Sequence, residues 1–228
     1  MNETYPPTEQ ASPLRVLIGR ANSLILGMIV LARAALAGFG AGPVPRAAAR
    51  LILRRFVLPA EATLRRAILM LAATLPPVIL RPRMARVGKA APPPPRPGAA
   101  VSRPVFCLTE PRPPVRLPQA PLPRIRFLDV ATPPSKAADP QTEDAAFAER
   151  LARRLLALEA AFENPQGEAR RLLRRRAAEA AKGVPARARL SFFRIPGDTP
   201  GLHDTSRSIL KELNQIASTV HLPVPDSS

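Results

Sequence analysis

RPRMARVGKAAPPPPRPGAAVSRP, residues 81–104, opens a proline-rich middle that runs to residue 138. Prolines stand there singly, in pairs and in the run Pro92-Pro93-Pro94-Pro95-Arg96-Pro97. Each removes a backbone donor and fixes φ, so no helix or central strand of ordinary length fits. Polyproline II or disorder is the expectation over most of it. Outward from this stretch, both flanks carry helical periodicity. The fold class expected is therefore mostly α: two helical segments separated by a long, largely irregular Pro-rich linker, with a C-terminal αα-hairpin. The divisions are a polar tail (1–11), an apolar basic helical segment (12–80), the linker (81–138), a hairpin (139–183), an extended connection (184–203), an amphipathic helix (204–222) and a tail (223–228).

Charge follows the same divisions. The net charge is +17, and arginine outnumbers lysine 30 to 4. Residues 1–80 carry nine arginines against Glu3, Glu9 and Glu61, and residues 81–138 carry eleven basic residues against Glu110 and Asp129. Residues 139–228 are nearly balanced, with fourteen basic and twelve acidic residues. The basic field of the first two segments attracts anions: lipid headgroups, nucleic acid or acidic proteins. A GC-rich codon bias also produces such a composition. A single cysteine, Cys107, excludes a disulfide-stapled domain. A catalytic thiol would need a base, and the two histidines, His203 and His221, lie far from it in sequence.

In the first segment, Ser12-Pro13 reads as the N-cap and first residue of a helix. Residues 24–41 carry one charge, Arg33, over eighteen positions, at the lower edge of a membrane-spanning length. A packed core helix, a membrane helix and a cleaved signal ending near Ala35-Leu36-Ala37 all fit this pattern. A second helix is expected over 46–58, with Arg46, Arg50 and Arg54 in one stripe opposite Ala48, Ala49, Ile52 and Phe56. Such a shape suits an anionic bilayer surface. Pro59 is expected to start a third helix, with Leu64, Ile68, Leu71 and Leu75 inward and Arg65 and Arg66 on its polar edge. Apolar on most of its circumference, that helix calls for burial. Arg81, Arg83, Arg86 and Lys89 follow at once, where an anionic leaflet contributes about 1 kcal/mol per charge.

Two short extended runs, 105–109 and 125–130, interrupt the linker and are expected to pair with each other or to dock on the helices. Pro111-Arg112-Pro113-Pro114-Val115-Arg116 has the pattern of an SH3 ligand, which a chain this rich in proline and arginine also produces by chance. Beyond Asp139-Pro140, Phe147, Leu151, Leu155, Leu158 and Phe162 form one apolar stripe, read as the face offered to a partner. Glu149, Arg150, Arg153 and Arg154 take the remaining, solvent-facing positions. Asn164-Pro165 breaks and restarts the helix, and Leu172, Leu173, Ala177 and Ala180 carry the next apolar side. Arg170, Arg171, Arg174, Arg175 and Arg176 make that helix the best local candidate for nucleic acid, although no aromatic is interleaved for stacking. Residues 187–195 read as extended. The last helix starts near Asp204 or Thr205 and repeats the pattern with Ile209, Leu213, Ile216 and Val220.

No catalytic, metal or nucleotide signature emerges, and no cofactor is implied. The expectation is a non-enzymatic, cytoplasmic helical adaptor. Its basic apolar N-terminal half meets an anionic membrane surface, and its C-terminal half meets a protein partner. The alternative is a soluble, arginine-rich nucleic-acid-associated protein.

Overall fold

The computed structural model describes residues 13–40, 42–78, 104–110, 140–183, 190–193, 195–220 and 222. The protein is mostly α. Helix α1 spans Pro13–Ala37, α2 Arg46–Ile52, α3 Leu58–Thr74, α4 Pro140–Glu163, α5 Pro165–Ala180 and α6 Asp204–Thr219. No strand occurs among the described residues. Ser12, the second extended run and the SH3-ligand pattern lie outside them.

Helix α3 is the axis of the fold, touched by α1, α4, α5 and α6. Its sequence explains why. Alanines at 60, 62, 67 and 72 are buried and let neighbours come close, while Leu64 and Ile68 fill the space between them. Every residue from Pro59 to Ile68 is buried. The expectation that this helix needs covering is met on all sides. Pro59 does not begin it, however. The chain runs from α2 through a π-helical turn, Leu53–Val57, directly into α3. The wide turn lies where the proline ring would otherwise meet a carbonyl of the preceding turn, so the proline is accommodated inside a continuous helical run.

Around this axis, one core joins the segments on either side of residues 81–138. Ile25, Met28, Ile29 and Ala32 from α1 share it with Leu151, Leu155 and Leu158 from α4 and Leu172 and Leu173 from α5. A smaller cluster ties Leu17 and Ala21 of α1 to Met70 of α3 and to Ile209 and Leu213 of α6. Gly40, at φ +58°, ends α1 in a left-handed turn that Pro43 and Pro45 then extend. Asn164 caps α5 by accepting a bond from the Gly167 N–H at 2.9 Å, with Pro165 at the first position. His203 caps α6 through its Nδ1, which accepts from Thr205 N–H at 3.3 Å. At Pro196-Gly197 the backbone presses on α3. Gly197 has φ +93°, and a Cβ there would lie 2.5 Å from the Pro59 nitrogen.

Candidate functional site

Four charged or polar side chains are buried in α3: Glu61, Thr63, Arg65 and Arg66. Thr63 satisfies itself by donating to the Pro59 carbonyl at 2.8 Å. The two arginines, read from the sequence as a solvent-facing edge, are the opposite. Arg65 is 3 % exposed and Arg66 is fully enclosed. They stay charged and inside because carboxylates and carbonyls meet them there.

Arg66 pins four parts of the chain together. Its Nε donates to Asn214 Oδ1 of α6 at 2.8 Å, and its Nη1 to Glu110 Oε1 at 2.9 Å and to the Ala62 carbonyl at 2.9 Å. Its Nη2 donates to the Ser191 carbonyl at 3.0 Å. The second oxygen of Glu110 accepts from the Ser191 N–H at 2.6 Å, and Asn214 Nδ2 donates to the Phe192 carbonyl at 2.9 Å. Burial pulls the Arg66 guanidinium below its ordinary pKa, and Glu110 opposes that pull.

Arg65 serves the neighbouring centre. It donates to Glu61 at 2.9 Å and from Nε to the Cys107 carbonyl at 2.8 Å, and its guanidinium carbon lies 5.3 Å from the Phe106 ring centre. Glu61 also binds both nitrogens of the Arg154 fork. Arg154 therefore faces inward, contrary to the solvent-facing position read from the sequence. Its guanidinium is raised above the ordinary value by the hydrogen bond to Glu61, against the lowering effect of burial. Residues 104–110 form an extended strap across these arginines. Phe106 and Leu108 point in and Val105 and Cys107 point out. Arg171 of α5 also donates to the Phe106 carbonyl. The first extended run thus docks on helices rather than pairing in a sheet.

The partner-facing stripe needs the clearest correction. Leu151, Leu155 and Leu158 are buried, and Phe147 and Phe162 pack partly buried against the same core. The α1–α3 segment covers them, because it supplies the matching apolar surface within one chain. The basic stripe divides: Arg46 pairs with Glu143 at 2.7 Å, whereas Arg50 and Arg54 are exposed and free of ion pairs among the described residues. Arg81, Arg83, Arg86 and Lys89 lie outside the described residues. On α5, Arg170 and Arg174 are exposed, Arg171 pairs with Glu168 and Arg175 with Glu179.

Helix α1 has two sides. Leu17, Ala21, Ile25 and Ala32 are sealed in the core. Val16, Leu26, Val30 and Leu31 are between 51 and 56 % exposed, and Leu51 of α2 is 59 % exposed. Residues 14–37 are long and apolar enough to cross a membrane, with a stretch of 18 residues at a mean hydropathy of 1.7. Two of the three arginines within this run are paired by the C-terminal half: Arg20 with Glu212 at 3.5 Å and Arg33 with Glu159. Among the described residues, no group of His, Cys, Asp or Glu is placed to hold a metal ion.

No family model, curated protein or solved structure matches the chain.

Proposed function

We propose that the protein is a non-enzymatic helical interaction protein that docks on an anionic membrane surface through α1 and α2. The observation that carries this reading is the open side of α1. Four large apolar residues stand in solvent on a helix whose other side is fixed in the core. Arg50, Arg54 and Arg55, in the adjoining helical run, are exposed and bear no ion pair among the described residues. Apolar surface beside unpaired cations is the chemistry that a bilayer with anionic headgroups recognises. The helix then lies in the interface rather than across it. Spanning would withdraw Leu17, Ala21 and Ile25 from the core and leave Glu159 and Glu212 without Arg33 and Arg20.

Co-sedimentation with phosphatidylcholine vesicles, with and without about 30 % phosphatidylserine, tests the proposal. The full chain is expected to sediment with the anionic vesicles at low salt. Arg50→Ala/Arg54→Ala/Arg55→Ala together should weaken that binding more than tenfold, since each surface charge contributes about 1 kcal/mol. Leu26→Ser/Val30→Ser/Leu31→Ser should weaken it as well, by removing the apolar part of the contact. A wild type that stays in the supernatant, yet shifts an RNA probe through the Arg170 and Arg174 side of α5, would overturn the membrane reading in favour of nucleic acid.

A further inference from the structure

We propose that, away from a membrane, a second copy of this chain covers the open side of α1, the two helices running antiparallel about a two-fold axis between Ser23 and Leu26. Val16, Gly19, Ser23, Leu26, Val30, Arg33 and Ala37 are all exposed. They follow one another at intervals of 3, 4, 3, 4, 3 and 4, the spacing of a two-helix seam. Leu17, Ala21, Ile25, Met28 and Ala32 face the core on the other side. Helix α1 therefore carries one seam inward and a second outward.

No helix of this chain fills the outward seam among the described residues. A Cβ placed at Gly19 or Gly27 would meet nothing within 4 Å. Glycine weakens a helix interior, and no neighbour within the chain requires it at either position. Small residues beside large apolar ones let a second helix come close.

The order of sizes along the seam selects the occupant. An antiparallel copy about this axis sets Leu26 against Ser23 and Val30 against Gly19, in both directions, so each large side chain enters the space of a small one. Val16 meets the aliphatic stem of Arg33. A parallel copy would set Gly19 against Gly19 and Arg33 against Arg33, a gap and a repulsion. Charge agrees with the antiparallel order. Arg33 pairs with Glu159 and lies in the field of Glu163, which is exposed. The two-fold brings Arg15 of the other copy to that edge, where two arginines then meet two carboxylates. Opposed helix dipoles favour the same order. The dimer stands on these contacts alone, and only its competition with lipid rests on the membrane reading above. One side of α1 cannot meet a bilayer and a second copy at once, so dimerisation shields the apolar face until a surface replaces the other copy.

Sedimentation equilibrium of the full chain without lipid, from about 1 to about 100 μM, tests the dimer. A reversible monomer–dimer equilibrium is expected. Gly19→Leu enters open space in the monomer but meets Val30 of the other copy, and should raise the dissociation constant more than about tenfold. Val30→Lys, at a position 56 % exposed, should do the same if either variant alone is misfolded by circular dichroism. A wild type that stays monomeric over the whole range would overturn the proposal, as would a dimer that the folded variants leave unchanged. Nitroxides at Ala37→Cys in a Cys107→Ser chain should lie more than about 25 Å apart across an antiparallel pair, and a separation near about 10 Å would mean a parallel one and overturn the arrangement. With anionic vesicles in excess, the bound fraction of the wild type should fall as its concentration rises through the dissociation constant, and that of Gly19→Leu should not. A bound fraction independent of concentration would overturn the exclusion. A dimer that ignores vesicles removes the membrane reading and leaves the dimer standing, whereas a monomer that binds them does the reverse.

Discussion

Among single residues, Glu61 holds the most. It is 2 % exposed and pairs with Arg65 and Arg154 at once. Replacing one partner of a buried ion pair strands the other, at about 3–5 kcal/mol. Arg154 is one-third exposed and recovers some of that from water, so Glu61→Gln should destabilise by about 3 kcal/mol. Glu149→Gln, which removes an exposed i,i+4 partner from Arg153, should change stability by less than about 1 kcal/mol. Urea unfolding of both variants measures the contrast, and equal midpoints would contradict the burial of this centre. Cys107 offers a second check. Burial alone would raise its thiol, but the hydrogen bonds with Thr109 and the nearby Arg65 outweigh it and hold the thiol below its ordinary pKa. Alkylation of the native chain by iodoacetamide should therefore reach half its maximal rate at a lower pH than for free cysteine. A midpoint at or above the free value would show that Arg65 and the strap are not placed as described.

The elements were largely legible as periodicity, and their environment was not. The heptad-like spacing of Phe147, Leu151, Leu155, Leu158 and Phe162 marks a helix whether its cover is a partner or the same chain. The cover turned out to be internal. Arg65 and Arg66 sit at positions of α3 that periodicity assigns to solvent, because a stripe describes one buried side and α3 is buried on all sides. The only signal for that in the sequence was the shortage of polar positions around the helix. Glu110, the partner of Arg66, lies 44 residues away in the chain, beyond the reach of any local pattern. Pro59 misled for a related reason: it marks a helix start in most contexts, but a π turn before it keeps the helix continuous. At this scale, Leu158→Ala should cost about 2–5 kcal/mol, because Leu158 is fully buried against α1–α3. Leu156→Ala, at a half-exposed position two residues away, should stay within about 0.5 kcal/mol. Thermal unfolding of the two variants separates an internal cover from an external one. Gly197→Ala should also destabilise, by at least about 2 kcal/mol, since the new Cβ meets the Pro59 backbone at a positive φ. A neutral alanine there would mean that the Pro196-Gly197 turn does not touch α3.

For the whole molecule, a proline-rich middle of nearly sixty residues does not divide the protein into separate bodies. The helices before and after it close on α3, and Arg66 bonds to the strap, to residue 191 and to α6 at once. The basic excess of the N-terminal half and the balanced charge of the C-terminal half acquire a meaning in this arrangement. Glu159 and Glu212 answer Arg33 and Arg20, two of the three arginines of α1, and its outer apolar side stays available for a surface. The central claim is that one cooperative core joins the two halves. Native-state hydrogen exchange through a urea series, read by mass spectrometry on peptides from α1, α3, α5 and α6, tests it most directly. The account predicts that the slowest amides of α3 and α5 open with the same free energy, within about 0.5 kcal/mol, and that Glu61→Gln lowers both together. An α5 that stays protected after α3 has exchanged, or an α3 that alone responds to Glu61→Gln, would contradict it.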